Sequence, residues 1–220
     1  MTKYIITGAS GWLGQNFLSH LIEDRSDSYA INIKENDLIR CLCLKEEKID
    51  GIKSMFGGID WIVGDLVTGE GLDLLFSDAE DAIVVHLAGL IHPALFSRDC
   101  VLVNFEGSKK LVKAGLEAGV SKIVVMSSNS PVGCNPINEH LFTEESPYSP
   151  YMGYGKSKFT LECYLRELME MNTSPPIVII RAPWFYGPFQ PPRQKLFIEM
   201  VAAGKFPILG DGTQRRSMVY

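Results

Sequence analysis

No run in this 220-residue chain approaches the ~18 consecutive apolar residues of a membrane-spanning helix. The first strand-like segment starts at residue 3 with no basic leader and apolar h-region ahead of it, so the cytoplasm is the expected compartment and no membrane partner is expected. Cysteine is scarce: five residues, an odd number without framework spacing, speak against a disulfide scaffold and fit reduced thiols. Histidine is scarcer still. His20, His86, His92 and His140 do not cluster in sequence with Cys41 and Cys43, so no metal is assigned. Lysine and arginine nowhere form a dense stretch and the formal net charge is -5, which argues against a nucleic-acid partner. Internal repeats and low-complexity tracts are absent as well.

What the chain has is apolar bulk, 46% of its residues, enough for one substantial core in one domain or slightly more. Strand-like runs near residues 3–7, 39–44, 60–64, 82–87, 122–127 and 177–181 alternate with helical patterns. Runs such as Ala82-Ile83-Val84-Val85 and Ile177-Val178-Ile179-Ile180 are apolar throughout, as parallel strands covered by helices on both faces should be. The expected fold is α/β, a doubly wound parallel sheet of Rossmann type. Leu111, Val112, Gly115 and Leu116 mark one covering helix, ended by Gly119, while Leu161, Tyr164, Leu165 and Leu168 mark another. Residues 24–38 read as a polar connector. Proline and glycine thicken after residue 182. A dinucleotide-binding domain is therefore expected over residues 1–182, followed over residues 183–220 by a partial substrate-binding region that stops inside a strand-like segment.

Tyr4-Ile5-Ile6-Thr7-Gly8-Ala9-Ser10-Gly11-Trp12-Leu13-Gly14 joins a β-branched run to a glycine-rich turn, after which Leu13, Phe17 and Leu21 recur at helical spacing. In that context it reads as a cradle for a dinucleotide pyrophosphate. Gly8 permits the tight turn, Gly11 admits backbone next to the pyrophosphate, and Gly14 lets helix pack on strand. The free N–H groups of the helix N-terminus then favour the anion without a basic side chain.

Further on, Tyr154 and Lys158 stand four apart, so a helix would project both from one face. The spacing alone carries little weight; its position after the fifth strand-like run, which ends in Ser127-Ser128, carries more. A competing reading makes Tyr154 a half-buried aromatic and Lys158 a solvated helix charge.

Thr7-Gly8-x-x-Gly11-x-x-Gly14, a strand-end serine and Tyr154-x-x-x-Lys158, in that order, resemble the signature of extended short-chain dehydrogenases/reductases, the branch of the NAD-dependent epimerases and dehydratases. The resemblance implies NAD or NADP as cofactor. It implies that Gly8, Ser10, Gly11, Trp12, Leu13 and Gly14 hold the pyrophosphate, and that Asp65, with Leu66, meets the adenine. Leu87, Ala88 and Gly89 would pass beside the cofactor, with Pro183 beneath the nicotinamide and Lys158 on the nicotinamide ribose. Tyr154 would take the proton of a substrate hydroxyl as hydride leaves carbon, with Ser128 orienting that oxygen. A phenol near pKa 10 needs about three units of depression for this, roughly 4 kcal/mol. An ammonium about 5 Å away supplies on the order of 3 kcal/mol, and an oxidised nicotinamide adds to it. Asn129, Trp184 and Arg216 are the implied substrate contacts, Arg216 toward a diphosphate. A homodimer through helices flanking the sheet is implied by the same resemblance.

Three departures matter. Strand two ends at Cys43-Leu44-Lys45 without an acidic residue for a ribose 2′-hydroxyl, and Lys45 tips the expectation toward NADP, although Glu46 and Glu47 follow it. Trp184 stands where sugar-nucleotide enzymes often carry Asn, which suits a more apolar pocket. Asn129-Ser130 replaces the Asp-Glu pair with which 4,6-dehydratases remove water, so dehydration is disfavoured. The leading expectation is an oxidoreductase or 4-epimerase acting on a sugar nucleotide. A reductase or dehydrogenase of an apolar alcohol or ketone, of steroid or flavonoid type, and a catalytically idle NAD(P)-binding sensor remain as alternatives.

Overall fold

Short β-branched runs and amphipathic stretches alternate along the chain, and each takes the form its pattern predicts. The computed structural model describes residues 1–22, 37–45, 47, 49–91, 97–135, 137, 140–171, 174–208, 210–213, 215 and 217–220. Most of the expected polar connector lies outside these; its last residue, Leu38, already opens a strand. The strands are β1 (Lys3–Thr7), β2 (Leu38–Cys43), β3 (Ile59–Val63), β4 (Ile83–His86), β5 (Lys122–Met126) and β6 (Ile177–Ile180). Between them come α1 (Trp12–Ile22), α2 (Asp50–Met55), α3 (Leu72–Leu75), α4 (Ser97–Val101), α5 (Ser108–Glu117) and α6 (Met152–Glu170), with a π-helical turn at Leu102–Gly107 joining α4 to α5.

All six strands pair in parallel in the order β3-β2-β1-β4-β5-β6. The order runs outward from β1 in both directions, so the connections leave the carboxyl ends of β1 and β4 on opposite faces and open a crevice between them. Alternate side chains enter two cores. Ile5, Val84, Ile123 and Val125 meet Leu111 of α5 with Leu161 and Leu165 of α6, whereas Ile6, Cys41 and Val85 meet Leu18 and Leu21 of α1. Helices on both faces make this the doubly wound Rossmann sheet expected. Cover on the α1 side thins at the edge, where Val178 and Ile180 of β6 are 44% and 40% exposed. No described helix is long and apolar enough to cross a membrane, and all five cysteines are free.

α5 stops where its glycine says it should. Gly119 takes φ +72, and the N–H groups of Gly119 and Val120 turn back to the carbonyls of Leu116 and Gly115, closing the orphan acceptors of the last turn. Beyond β6 the chain leaves the sheet. β7 (Trp184–Phe185) and β8 (Met218–Val219) form a separate parallel pair, and α7 (Pro192–Ala202) starts at a proline whose missing N–H costs nothing in a first turn.

A chain of buried polar groups stitches β1, β4 and α5 together. The Thr7 hydroxyl lies 2.6 Å from His86 Nδ1, and His86 Nε2 lies 2.7 Å from Ser108 Oγ. Ser108 spends its only proton on the Asn104 carbonyl, so it accepts from His86 Nε2–H, and Nδ1 accepts from Thr7. His86 is therefore neutral, its pKa pushed down to about 3 by complete burial and by the nearby Lys158 charge. The unfolded chain binds a proton here below 6.5 and the folded chain does not until about 3, so stability falls as pH drops through that window. Urea unfolding should show roughly 4 kcal/mol of this loss between pH 7 and pH 3, and His86→Gln, which cannot titrate, should flatten the dependence.

Candidate active site

The glycine turn is built by close backbone contact. Gly8 adopts φ +74, and a Cβ there would lie 2.5 Å from the Ala88 nitrogen and 2.7 Å from the Leu87 carbonyl carbon. At Gly14 a Cβ would meet the Gly8 carbonyl oxygen at 2.1 Å, so α1 rests on the turn itself. Gly11 is different: its Cβ would meet only the Gly8 oxygen, at 3.2 Å, and otherwise enters open space. The exposed Gly11, flanked by Ser10, Trp12 and Leu13 at the start of α1, thus offers bare backbone and helix N–H groups outward. The Trp12 indole N–H and the Asn16 amide both donate to the Pro188 carbonyl at 2.7 Å, and Trp12 meets the Phe185 ring edge-on. The turn is thereby tied to the segment that follows β6.

Around this turn the other strand ends assemble. The Leu87-Ala88-Gly89 backbone runs from Gly8 to the lysine of α6, since a Cβ on Gly89 would lie 3.3 Å from Lys158 Nζ and 3.2 Å from Asn104 Oδ1. Asn104, fully buried in the π-helical turn, accepts from the Leu90 N–H and donates to the Leu90 carbonyl and Ser157 Oγ, pinning the strand end. Asp65 caps its own turn through the Val67 N–H. Leu66 points its side chain into the core, 7% exposed. Lys45 is exposed beyond β2, while Glu47 folds back so that its carboxylate accepts from Ser10 Oγ at 2.7 Å and from the Leu44 N–H at 3.3 Å.

The Tyr154 and Lys158 side chains lie on α6, which packs closely because a Cβ at Gly155 would already touch the Ser130 carbonyl at 3.0 Å. Lys158 is 3% exposed, so the solvated-charge reading fails, and it donates to the Met126 carbonyl at the end of β5 at 2.9 Å. Burial pushes its pKa down to about 8 against the opposing charges of Glu162 and Cys100. Burial also raises the Tyr154 phenol, with a hydrogen bond from Ser128 lowering it and Cys100 raising it. The depressed phenol expected from Lys158 is therefore not found: burial is the largest influence on Tyr154, and what opposes it is the Ser128 hydrogen bond, not the Lys158 ammonium. Ser128, 8% exposed, is held by the Ser130 N–H and hydroxyl, both at 3.1 Å.

Gly8 thus meets Leu87 and Ala88, Gly89 meets Lys158, and Ser128 meets Tyr154. Asn129 is exposed beside Ser128, its N–H bonded to the Ala182 carbonyl at the entry to Pro183. The Trp184 ring packs 5.3 Å from Phe197 of α7. Arg216 lies outside the described residues. Two carboxylates escaped the sequence reading. Glu47 was visible only as an acid following Lys45, and Glu162 only as a charge four residues beyond Lys158 on an otherwise apolar helix face.

The family model of the NAD dependent epimerase/dehydratase family matches residues 4–220. An uncharacterised protein of Sinorhizobium fredii is 44% identical over 98% of the chain and 60% of its own length. The dTDP-D-glucose 4,6-dehydratase of Mus musculus is 32% identical over 99% of the chain and 61% of its length. The chain thus spans about 60% of the length of these relatives. In three dimensions, UDP-glucose 4-epimerase of Thermotoga maritima, solved with UDP-glucose, superposes with TM-score 0.80 at 22% identity, covering all of this chain and 69% of its own. With a matching glycine turn, strand order and family model, the chain belongs to the NAD dependent epimerase/dehydratase family.

Proposed function

We propose that this chain binds NAD and moves a hydride to or from a hydroxyl-bearing carbon of a sugar nucleotide, as an oxidoreductase or 4-epimerase. The observation that carries the reading is the continuous path of backbone from Gly8 through Leu87-Gly89 to Lys158 Nζ. We read that path as the backbone floor along which an extended dinucleotide would lie between the glycine turn and the Tyr154 phenol. The residues fit: open backbone at Gly11, N–H groups at the start of α1, and a buried lysine head at the far end. Bound there, NAD would supply a two-electron acceptor that takes and returns hydride.

The protein's own groups handle the proton. Tyr154, raised by burial, holds its proton at neutral pH until further positive charge lies beside it. Once ionised, the phenolate accepts the substrate hydroxyl proton as the carbon loses hydride, and gives it back in reduction. Ser128 would hydrogen-bond the same oxygen, and Lys158 would support the phenolate and be the residue to hold the nicotinamide ribose. No carboxylate stands at Asn129 or Ser130, so the chain lacks that pair for eliminating water, which disfavours dehydration. The mouse relative is named as a dehydratase, which that pair of positions does not match. Of the three aromatics after β6 that suit an apolar substrate, Trp184 packs on Phe197 and Phe185 on Trp12, whereas Phe189 is 37% exposed. Engagement of the first two favours the sugar-nucleotide reading.

Glu47 reverses the leaning toward NADP. Its carboxylate on Ser10 places negative charge beside the turn at the end of β2, where it would accept from a ribose 2′-hydroxyl and repel a 2′-phosphate. Lys45 is exposed and does not form this wall.

Tyr154→Phe should cut NAD-dependent turnover of UDP- or dTDP-hexoses by about 10³-fold or more while NAD affinity, measured by calorimetry, changes little. Retained turnover removes the mechanism. Gly11→Ala should leave the melting temperature nearly unchanged yet weaken NAD by at least about tenfold, whereas Gly14→Ala, overlapping backbone, should cost about 3 kcal/mol of stability by denaturant titration. Glu47→Gln should narrow the ratio of NADP to NAD dissociation constants by about tenfold or more.

A further inference from the structure

We propose that Glu162 is a positioning residue of the reaction: its carboxylate braces the segments that carry Tyr154, Lys158 and Ser128 and lays a negative charge one helical turn beyond the Lys158 ammonium. The proposal rests on the catalytic reading given above. Glu162 is 0% exposed on α6, four residues after Lys158. Its Oε1 accepts from Ser127, the neighbour of Ser128 at the end of β5. Its Oε2 accepts from the Tyr148 hydroxyl at 2.8 Å and from Arg181 Nε and Nη2 at 3.0 and 2.8 Å. Arg181 opens the segment leading to Pro183. One carboxylate therefore fastens α6, the serine-bearing strand end and the chain beneath the crevice.

Packing does not demand a charge at this position. Leu161 and Leu165 fill the core face of the same helix, and an apolar replacement of a buried ion pair is often as stable as the pair. The charge has a use in the electrostatics of Lys158. That lysine is bonded to a neutral carbonyl, and burial works against its proton. Glu162 and Cys100 oppose the burial, and the Cys100 thiol on α4 is itself raised and so neutral at pH 7. His86 on β4 is neutral, Tyr154 is protonated, and Arg166 reaches the Tyr148 hydroxyl rather than the carboxylate. Glu162, faced by Arg181, Tyr148 and the thiol of Cys163, is thus the fixed negative charge that keeps the ammonium in being. Without it Lys158 would lose its proton at lower pH, and Tyr154 would lose its support.

The test is a ¹³C NMR titration of the Lys158 side chain in the 220-residue protein, assigned by its disappearance in Lys158→Met. The double variant Glu162→Gln/Arg181→Met removes both charges and leaves no lone buried guanidinium; Glu162→Gln alone serves if the double variant does not fold. The wild-type midpoint should lie near 8, should fall by about one pH unit in the charge-free variant, and should stay near 8 in Glu162→Asp. With NAD and UDP-glucose, the alkaline limb of the rate profile should move the same way, with kcat reduced about tenfold. A folded charge-free variant whose Lys158 midpoint coincides with wild type overturns the proposal. Failure of the catalytic reading looks different: Tyr154→Phe would keep full turnover, ending the role in reaction even though the midpoint moved.

Discussion

The proposed chemistry depends on how closely the carboxyl ends of β1 and β4 approach each other. In a sheet whose strands all run one way, every strand end lies on one edge, and the reversal of order at β1 leaves a gap there. The gap is lined by backbone because Gly8 has no side chain to keep Leu87 and Ala88 away. The Thr7–His86 hydrogen bond closes the same junction from inside the sheet. Loss of that approach would part the glycine turn from the lysine that it faces along the Leu87-Gly89 path.

Burial acts on the two central groups in opposite senses, and this decides the resting state. It holds the Tyr154 phenol protonated and loosens the Lys158 proton. A site made of these two alone would drift toward a neutral pair. In the proposed mechanism, fixed charge from outside the pair restores the ionised arrangement: a positive charge on the cofactor side, and on the core side the Glu162 carboxylate. The hydroxyl of Ser128 tilts the balance in the same direction by bonding the phenolate.

Much of this was legible in the residue order. Runs apolar throughout, such as Ile177-Val178-Ile179-Ile180, announce parallel strands, and the switch from a strand period to a helical one across Gly8 to Gly14 announces the turn. The four-residue spacing of Tyr154 and Lys158 needs only a helix to become a shared face. What the order does not carry is contact between distant side chains. Thr7 and His86 are 79 residues apart, and Ser127 and Glu162 are 35 apart. The sign of the Tyr154 shift was likewise hidden, because it depends on how much water the folded chain removes. Glu47 reaches Ser10 only because the loop after β2 doubles back. Leu66, adjacent to the adenine position in sequence, turns inward because Gly107 leaves space for it, a Cβ there coming within 3.0 Å.

The bare stripe on β6 has a practical side. Val178 and Ile180 lie on an outermost strand that has no further strand hydrogen-bonded to it among the described residues. An unpaired edge with an apolar face is a template for strand-to-strand adhesion between molecules. Such a margin offers one route by which copies of this polypeptide adhere, strand edge to strand edge.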